Sequence, residues 1–205
     1  YQSPVMDQRL DAICKEYRAR GIKGIVRVLD VGCGIGLFAD VAKGKHLVAM
    51  DGVEPSIIQR KIARKKYINI FESIEQAPDG EYDAIHLSHV LEHIENPVDF
   101  LKKCRDKLRS IGSIYIEVPC EKYIENLANL PFTSFFKRRW VCPFHCNYFG
   151  IREMKSVLEL AGFRDASIVH ETFFNKRRIN SLPKNYPVLK KIGVYILAAL
   201  FGKGG

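Results

Sequence analysis

With 205 residues, 47% of them apolar and 27% charged, the chain has the length and balance of one globular domain with a well-buried core, expected to span 1–205. The longest apolar run, Ile192 to Phe201, is shorter than the ~20 residues that cross a bilayer, no signal-peptide pattern opens the chain, and its six cysteines follow no regular spacing. These features exclude a helical membrane span and a disulfide scaffold, and a cytoplasmic chain with free thiols is expected.

A formal charge of +9 raises nucleic acid as a partner, yet Arg60-Lys61, Arg64-Lys65-Lys66 and the basic residues from Lys102 to Arg109 recur at the spacing of solvated helix faces. Nucleic acid is therefore not the expected partner. Lys137-Arg138-Arg139 and Lys176-Arg177-Arg178 fall in loops and suit an anionic substrate or a membrane surface.

Taken in order, residues 3–20 repeat apolar side chains at Val5, Met6, Leu10, Ile13 and Tyr17 near a helical period, and Gly21 and Gly24 end that first helix within segment 1–26. A short strand, Arg27–Val31, then runs into Gly32-Cys33-Gly34-Ile35-Gly36, and a helix follows to about Lys43. Glycines spaced by two belong where backbone N–H groups come close to a ligand in conformations that a side chain forbids. Asp30 sets the ligand's character, because a carboxylate at the strand end repels a pyrophosphate and holds an ammonium group. Gly34-x-Gly36-x-x-Ala39 also fits a dinucleotide turn, but that fold has no use for an acid at position 30.

The second strand, His46–Val53, ends at Gly52-Val53-Glu54-Pro55-Ser56. An acid here, 24 positions after Asp30, is placed to accept the hydroxyls of a ribose. Glu54 is preferred to its rival Asp51, and the alternative is that Glu54 merely opens the next helix. That helix covers Ser56–Lys66, with a third strand over Tyr67–Phe71 and a turn at Pro78-Asp79-Gly80. The fourth strand, Tyr82–Leu87, leads into Ser88-His89-Val90-Leu91-Glu92-His93-Ile94. Asn96-Pro97 starts a helix that ends near Leu108 and turns Val98, Phe100, Leu101, Cys104 and Leu108 inward; Ile111-Gly112 turns the chain into a fifth strand, Ser113–Val118. Strand and helix alternate throughout 27–119, which is a doubly wound α/β pattern with its ligand at the carboxyl ends of the strands.

From 120 to 150 the periodicity is lost and Phe132, Phe135, Phe136, Trp140, Phe144, Tyr148 and Phe149 crowd together. An aromatic insertion after strand five suits a lid that excludes water, the alternative being an apolar lobe or dimer contact. A last helix, Ile151–Ala161, and a sixth strand, Ala166–Phe174, occupy 151–174. In the basic and apolar tail, 175–205, Ile192 to Phe201 reads as a packed helix or as a membrane-surface anchor within 184–201.

The stretch VLDVGCGIG resembles motif I of the class I S-adenosylmethionine-dependent methyltransferases, GVEPS resembles their second motif, and HVLEHI their segment after strand four. Pro143 to Phe149 resembles the H-x-x-x-F segment of members that act on saccharides, lipids and quinol-type substrates. The resemblance covers 27 to about 174 and implies a Rossmann-like sheet of the class I type. It also implies S-adenosylmethionine as cofactor, with S-adenosylhomocysteine as product. Asp30, Gly32, Cys33, Gly34, Glu54, Pro55, Ser73, Ile74, Ser88 and His89 are then the cofactor-binding residues, with Ser73 and Ile74 at the adenine and Ser88 and His89 at the methionine part. The family closes its sheet with a seventh, antiparallel strand, and the tail is not read as supplying it.

Methyl transfer from a sulfonium is an in-line displacement that demands alignment and dryness but no metal. A hydroxyl acceptor, on a small molecule or saccharide, also needs a base, and His145, His89 and Tyr148 are the catalytic candidates. No metal is expected: Cys142, His145 and Cys146 lack a fourth ligand, and the H-x-x-E-H spacing of His89, Glu92 and His93 follows directly on a strand. An RNA or protein N-methyltransferase is the alternative enzyme, disfavoured because no Asn/Asp-Pro-Pro-Tyr/Phe motif follows strand four. Intact Asp30, Gly32, Gly34 and Glu54 speak against a non-catalytic scaffold.

Overall fold

The computed structural model describes residues 3–21, 23–45, 47–119, 144–164, 166–172 and 194–201. In chain order the elements are α1 (Ser3–Ala19), β1 (Val26–Val31), α2 (Leu37–Ala42), β2 (Val48–Val53), α3 (Ile57–Ala63), β3 (Ile70–Phe71), β4 (Tyr82–Ser88), α4 (Pro97–Lys107), β5 (Leu108–Pro119), α5 (Ile151–Leu160), β6 (Ser167–Thr172) and β7 (Val194–Phe201). They build one seven-stranded sheet in the order β3-β2-β1-β4-β5-β7-β6. The first five strands run parallel, and β7 pairs antiparallel with both β5 and β6. This is a doubly wound arrangement, with strand order reversing on the two sides of β1.

Alternation along the strands divides the core in two. Leu29, Val31, Ile85, Leu87, Ile114 and Ile116 meet Leu101 and Cys104 of α4 and Met154 and Leu158 of α5. Val26, Val28, Met50 and Ala84 face the other way, onto Leu10, Ile13 and Tyr17 of α1 and Phe38 and Ala39 of α2. Local chemistry starts two of the helices: the Ser56 hydroxyl accepts from Gln59 N ahead of α3, and Asn96, followed by Pro97, accepts from Asp99 N ahead of α4.

Several expectations are corrected. Within the run read as a packed helix, residues 194–201 form the strand β7 instead, in register from Ser113↔Phe201 to Pro119↔Tyr195 on one side and from Ser167↔Ala199 to Thr172↔Val194 on the other. An interior strand reads as a nearly unbroken apolar run, so its sequence lacks the alternation that marks a half-exposed strand. The closing antiparallel strand is therefore present. The fifth strand is also longer than expected, taking in Ile111-Gly112, while the third shrinks to Ile70–Phe71. Residues 120–143, with Trp140, Cys142 and the first basic loop, and residues 173–193, with the second, lie outside the described residues. Among the described residues no helix is long and apolar enough to cross a membrane.

One row across the sheet carries charge. Register places Gly52, Asp30, His86 and Tyr115 side by side on β2, β1, β4 and β5. Asp30 is only 3% exposed, and its two oxygens accept from the Tyr67 hydroxyl at 2.5 Å and from His86 Nδ1 at 2.9 Å. Tyr67 lies beyond β2 and reaches Asp30 over Gly52, where an added Cβ would stand 3.2 Å from the tyrosine ring and 2.9 Å from Cys33 Sγ. His86 is stacked on Phe38 with ring centroids 4.0 Å apart. Removing one donor leaves a buried carboxylate oxygen without its partner. Tyr67→Phe is expected to lower stability by ~1–3 kcal/mol, read as a lower urea midpoint at unchanged slope; an unchanged midpoint would show that Asp30 does not depend on this bond.

Candidate functional site

The glycine turn is anchored to the end of β2. Gly32 N and Cys33 N both donate to Val53 O, at 2.8 and 3.0 Å, and Gly36 N closes the turn onto Cys33 O at 2.9 Å. Gly32 has φ +71, and a Cβ there would come within 2.3 Å of Val90 Cγ2, so only glycine lets the segment after β4 rest on the turn. The Cys33 thiol is buried inside it. Burial first, then the charges of Asp30 and Glu54, push its pKa up to about 12, which keeps it protonated and unreactive.

Glu54 ties the two halves of the site together. Its Oε2 accepts from Gly34 N at 2.9 Å and its Oε1 from Ser56 N at 2.8 Å, in a position 6% exposed beside exposed Pro55. Asp51, the rival acid, is committed elsewhere. It accepts from Tyr82 OH at 2.9 Å and from Asn69 N and Nδ2 at 2.9 and 3.0 Å, with Arg27 at 3.4 Å. Asp30 differs from expectation, because alternation along β1 turns its carboxylate inward onto Tyr67 and His86 rather than outward to meet an ammonium group. It lies beneath the turn as a buried charge. Burial and that charge push the Tyr67 hydroxyl far above its ordinary pKa, so it stays a donor.

Ser73 precedes the 3₁₀ turn Ile74–Gln76 and is half-buried. Ile74, expected as an adenine wall, is 4% exposed and packs into the larger core, so its side chain supports the site from below.

At the end of β4 stands a polar cluster. Ser88 Oγ donates to Glu117 Oε2 at 2.8 Å and accepts from Arg9 at 3.4 Å, while the Arg9 guanidinium pairs with Glu117 directly. His89 takes φ 57, a left-handed conformation uncommon outside glycine, with its N–H donating to Glu117 O at 3.0 Å. Its side chain is 42% exposed, with Nδ1 at 3.2 Å from Glu92 Oε1 and Nε2 at 4.0 Å from Glu117 Oε1. The hydrogen bond to Glu92 raises the imidazole pKa above its ordinary value, against the effect of burial.

The segment 144–149 docks on the 3₁₀ turn Leu91–His93. Cys146 N and Asn147 N donate to Glu92 O at 2.8 and 3.1 Å, Asn147 Nδ2 donates to Ile94 O at 2.5 Å, and His93 Nδ1 donates to Phe144 O at 3.1 Å. His145 thereby meets His93 edge-on, with ring centroids 4.8 Å apart. Half-buried Tyr148 and buried Phe149 follow it. The structure thus gathers Gly32, Cys33, Gly34 and Glu54 at one point, and Ser88 and His89 at another; His145 stands beside His93. Sequence reasoning missed Tyr67, His86, Arg9 and Glu117. Of these only Glu117 carried a signal, as an acid inside the apolar run Ile114–Val118.

Residues 5–168 match the methyltransferase domain family. Over 156 residues, 70% of this chain and 46% of the relative, the chain is 32% identical to a tRNA U34 carboxymethyltransferase of Vibrio campbellii. Over 108 residues, 48% of this chain and 45% of the relative, it is 31% identical to a ubiquinone biosynthesis O-methyltransferase of Acinetobacter baumannii. The match thus spans about half the length of each of these curated relatives. A crystal structure of a SAM-dependent methyltransferase from Archaeoglobus fulgidus superposes with TM-score 0.66 at 23% identity, covering 97% of this chain and 94% of that one. The chain belongs to the methyltransferase domain family, and its fold is that of the class I S-adenosylmethionine-dependent methyltransferases.

Proposed function

We propose that the protein transfers a methyl group from S-adenosylmethionine to a hydroxyl of a small molecule of the quinol or saccharide kind. The observation that carries this reading is the bond between Glu54 and the backbone of Gly34, which sets an acid at the rim of a glycine turn where a ribose lies in a Rossmann-type fold. Each Glu54 oxygen holds one N–H and keeps lone-pair capacity for a hydroxyl. Gly32 and Gly34 let the ligand approach the backbone, Ser73 with the adjoining backbone meets the adenine, and Ser88 and His89 face the methionine part. Asp30 acts through its charge from beneath the turn, drawing a cationic ligand without touching it.

In the transfer a bond forms between acceptor oxygen and methyl carbon as the carbon–sulfur bond breaks, and its electron pair stays on sulfur. The hydroxyl proton passes to an imidazole. His89 is the base on the cofactor side, and the docking of 144–149 on the turn Leu91–His93 supports His145 and Tyr148 as the acceptor-side candidates. The likeness to a ubiquinone biosynthesis O-methyltransferase supports a hydroxyl acceptor. A tRNA acceptor is the second reading, favoured by the charge of +9 and the likeness to a tRNA-modifying enzyme.

Calorimetry is expected to show S-adenosylhomocysteine binding at ~1 μM, equivalent to ~8 kcal/mol, with Glu54→Ala weakening it by ~10-fold or more. Tighter binding of a nicotinamide dinucleotide would sink the assignment. His145→Ala is expected to lower turnover by ~10²–10⁴-fold at nearly unchanged cofactor affinity, whereas equal losses in both would move His145 to the cofactor side. Labelled methyl groups are expected to reach a dihydroxyphenol and not bulk tRNA, whose binding weakens steeply between about 50 and 200 mM salt; sequence-selective labelling of tRNA would establish the second reading instead.

A further inference from the structure

Glu92, His93 and His145 each bring one ligand atom within 4.8 Å of the other two. We propose that they hold one divalent transition-metal ion of the zinc class, a combination the sequence does not show because His145 lies more than fifty residues from Glu92 and His93. Glu92 carries the argument. It is 1% exposed, its Oε1 faces His89 Nδ1 at 3.2 Å, and its Oε2 has no hydrogen-bond partner among the described residues. A buried carboxylate oxygen without a donor is costly, and a cation removes that cost.

The imidazoles are prepared for the same ion. Phe144 O can only accept, so His93 Nδ1 is the donor and Nε2 is the nitrogen left to face an ion; a backbone carbonyl on the far nitrogen is the usual support of a metal-bound histidine. His145 is half-buried and its ring stands at 81° to that of His93. Ligands of a tetrahedral ion at ~2.1 Å lie ~3.4 Å apart, so the three atoms close onto it by side-chain rotation, which exposed His93 allows. Two imidazoles and one carboxylate suit zinc and its neighbours better than magnesium, and they leave a fourth position open. An acceptor oxygen bound there would give up its proton more readily to His89, His145 then holding the ion rather than the proton, before attacking the methyl carbon, the sulfur keeping the carbon–sulfur electron pair. That role rests on the proposed methyl transfer; binding of the ion does not.

The test uses the full chain, stripped with a chelator and titrated with Co²⁺ by visible absorption and with Zn²⁺ by calorimetry, with S-adenosylhomocysteine titrated in parallel. One ion per chain is expected, with ligand-field bands for Co²⁺. His93→Ala, His145→Ala and Glu92→Gln should each weaken it by more than ~100-fold, since even supporting residues of metal sites cost 10–100-fold. Circular dichroism melts identify any variant that fails to fold. Cys146→Ser should leave ion binding intact; loss of binding there, or retention in the histidine variants, assigns the ion to other groups and overturns the proposal. Cofactor binding without ion binding rejects the metal site and spares the methyltransferase reading, and ion binding without cofactor binding does the reverse.

Discussion

A carboxylate sealed beneath a turn of glycines is the constraint on which the site depends. Asp30 is 3% exposed, and an acid so buried is tolerable only when its oxygens are met by donors. Those donors come from two other parts of the sheet: His86 from β4, directly across in register, and Tyr67 from the approach to β3. Satisfying one acid therefore fixes three strands relative to one another. It also explains Gly52, since the tyrosine passes where a side chain would project.

The same economy of faces separates two acids near the end of β2. Asp51 and Glu54 are three positions apart, an odd offset, so the pleat sends them to opposite sides. Asp51 turns to Tyr82 and Asn69 in the body of the fold, whereas Glu54, one residue past β2, meets the N–H groups of Gly34 and Ser56. The first is a structural anchor. The second joins the turn after β1 to the end of β2, so the surfaces expected to take the two ends of a nucleoside move as one body.

What could be read from the sequence was local. The glycine spacing, the Asn96-Pro97 start of α4 and the strands β1, β2 and β4 follow from period, turn chemistry and position along the chain. The inward turn of Asp30 did not, because its partners lie 37 and 56 residues away and are chosen by register. Nor did β7, whose run Val194–Phe201 carries the uniform apolarity shared by interior strands and buried helices. Arg9 and Glu117 meet only through the packing of α1 against the sheet ends, for which a periodic helix gives no sign.

The turn Leu91–His93 then couples the stretch after β4 to the segment 144–149. The carbonyl of Glu92 takes two N–H groups from 146–147 while its side chain is buried against His89, so one residue of the post-β4 turn holds both the base candidate and the segment bearing His145 and Tyr148. Gly32 lets Val90, two residues before Glu92, rest on the glycine turn itself. Errors of about 1 Å in placing an acceptor cost large factors in an in-line displacement. Gly32 receives Val90 and Glu92 O receives Cys146 and Asn147, so the turn that would hold the methyl donor and the segment that would orient its acceptor are tied to the same stretch after β4.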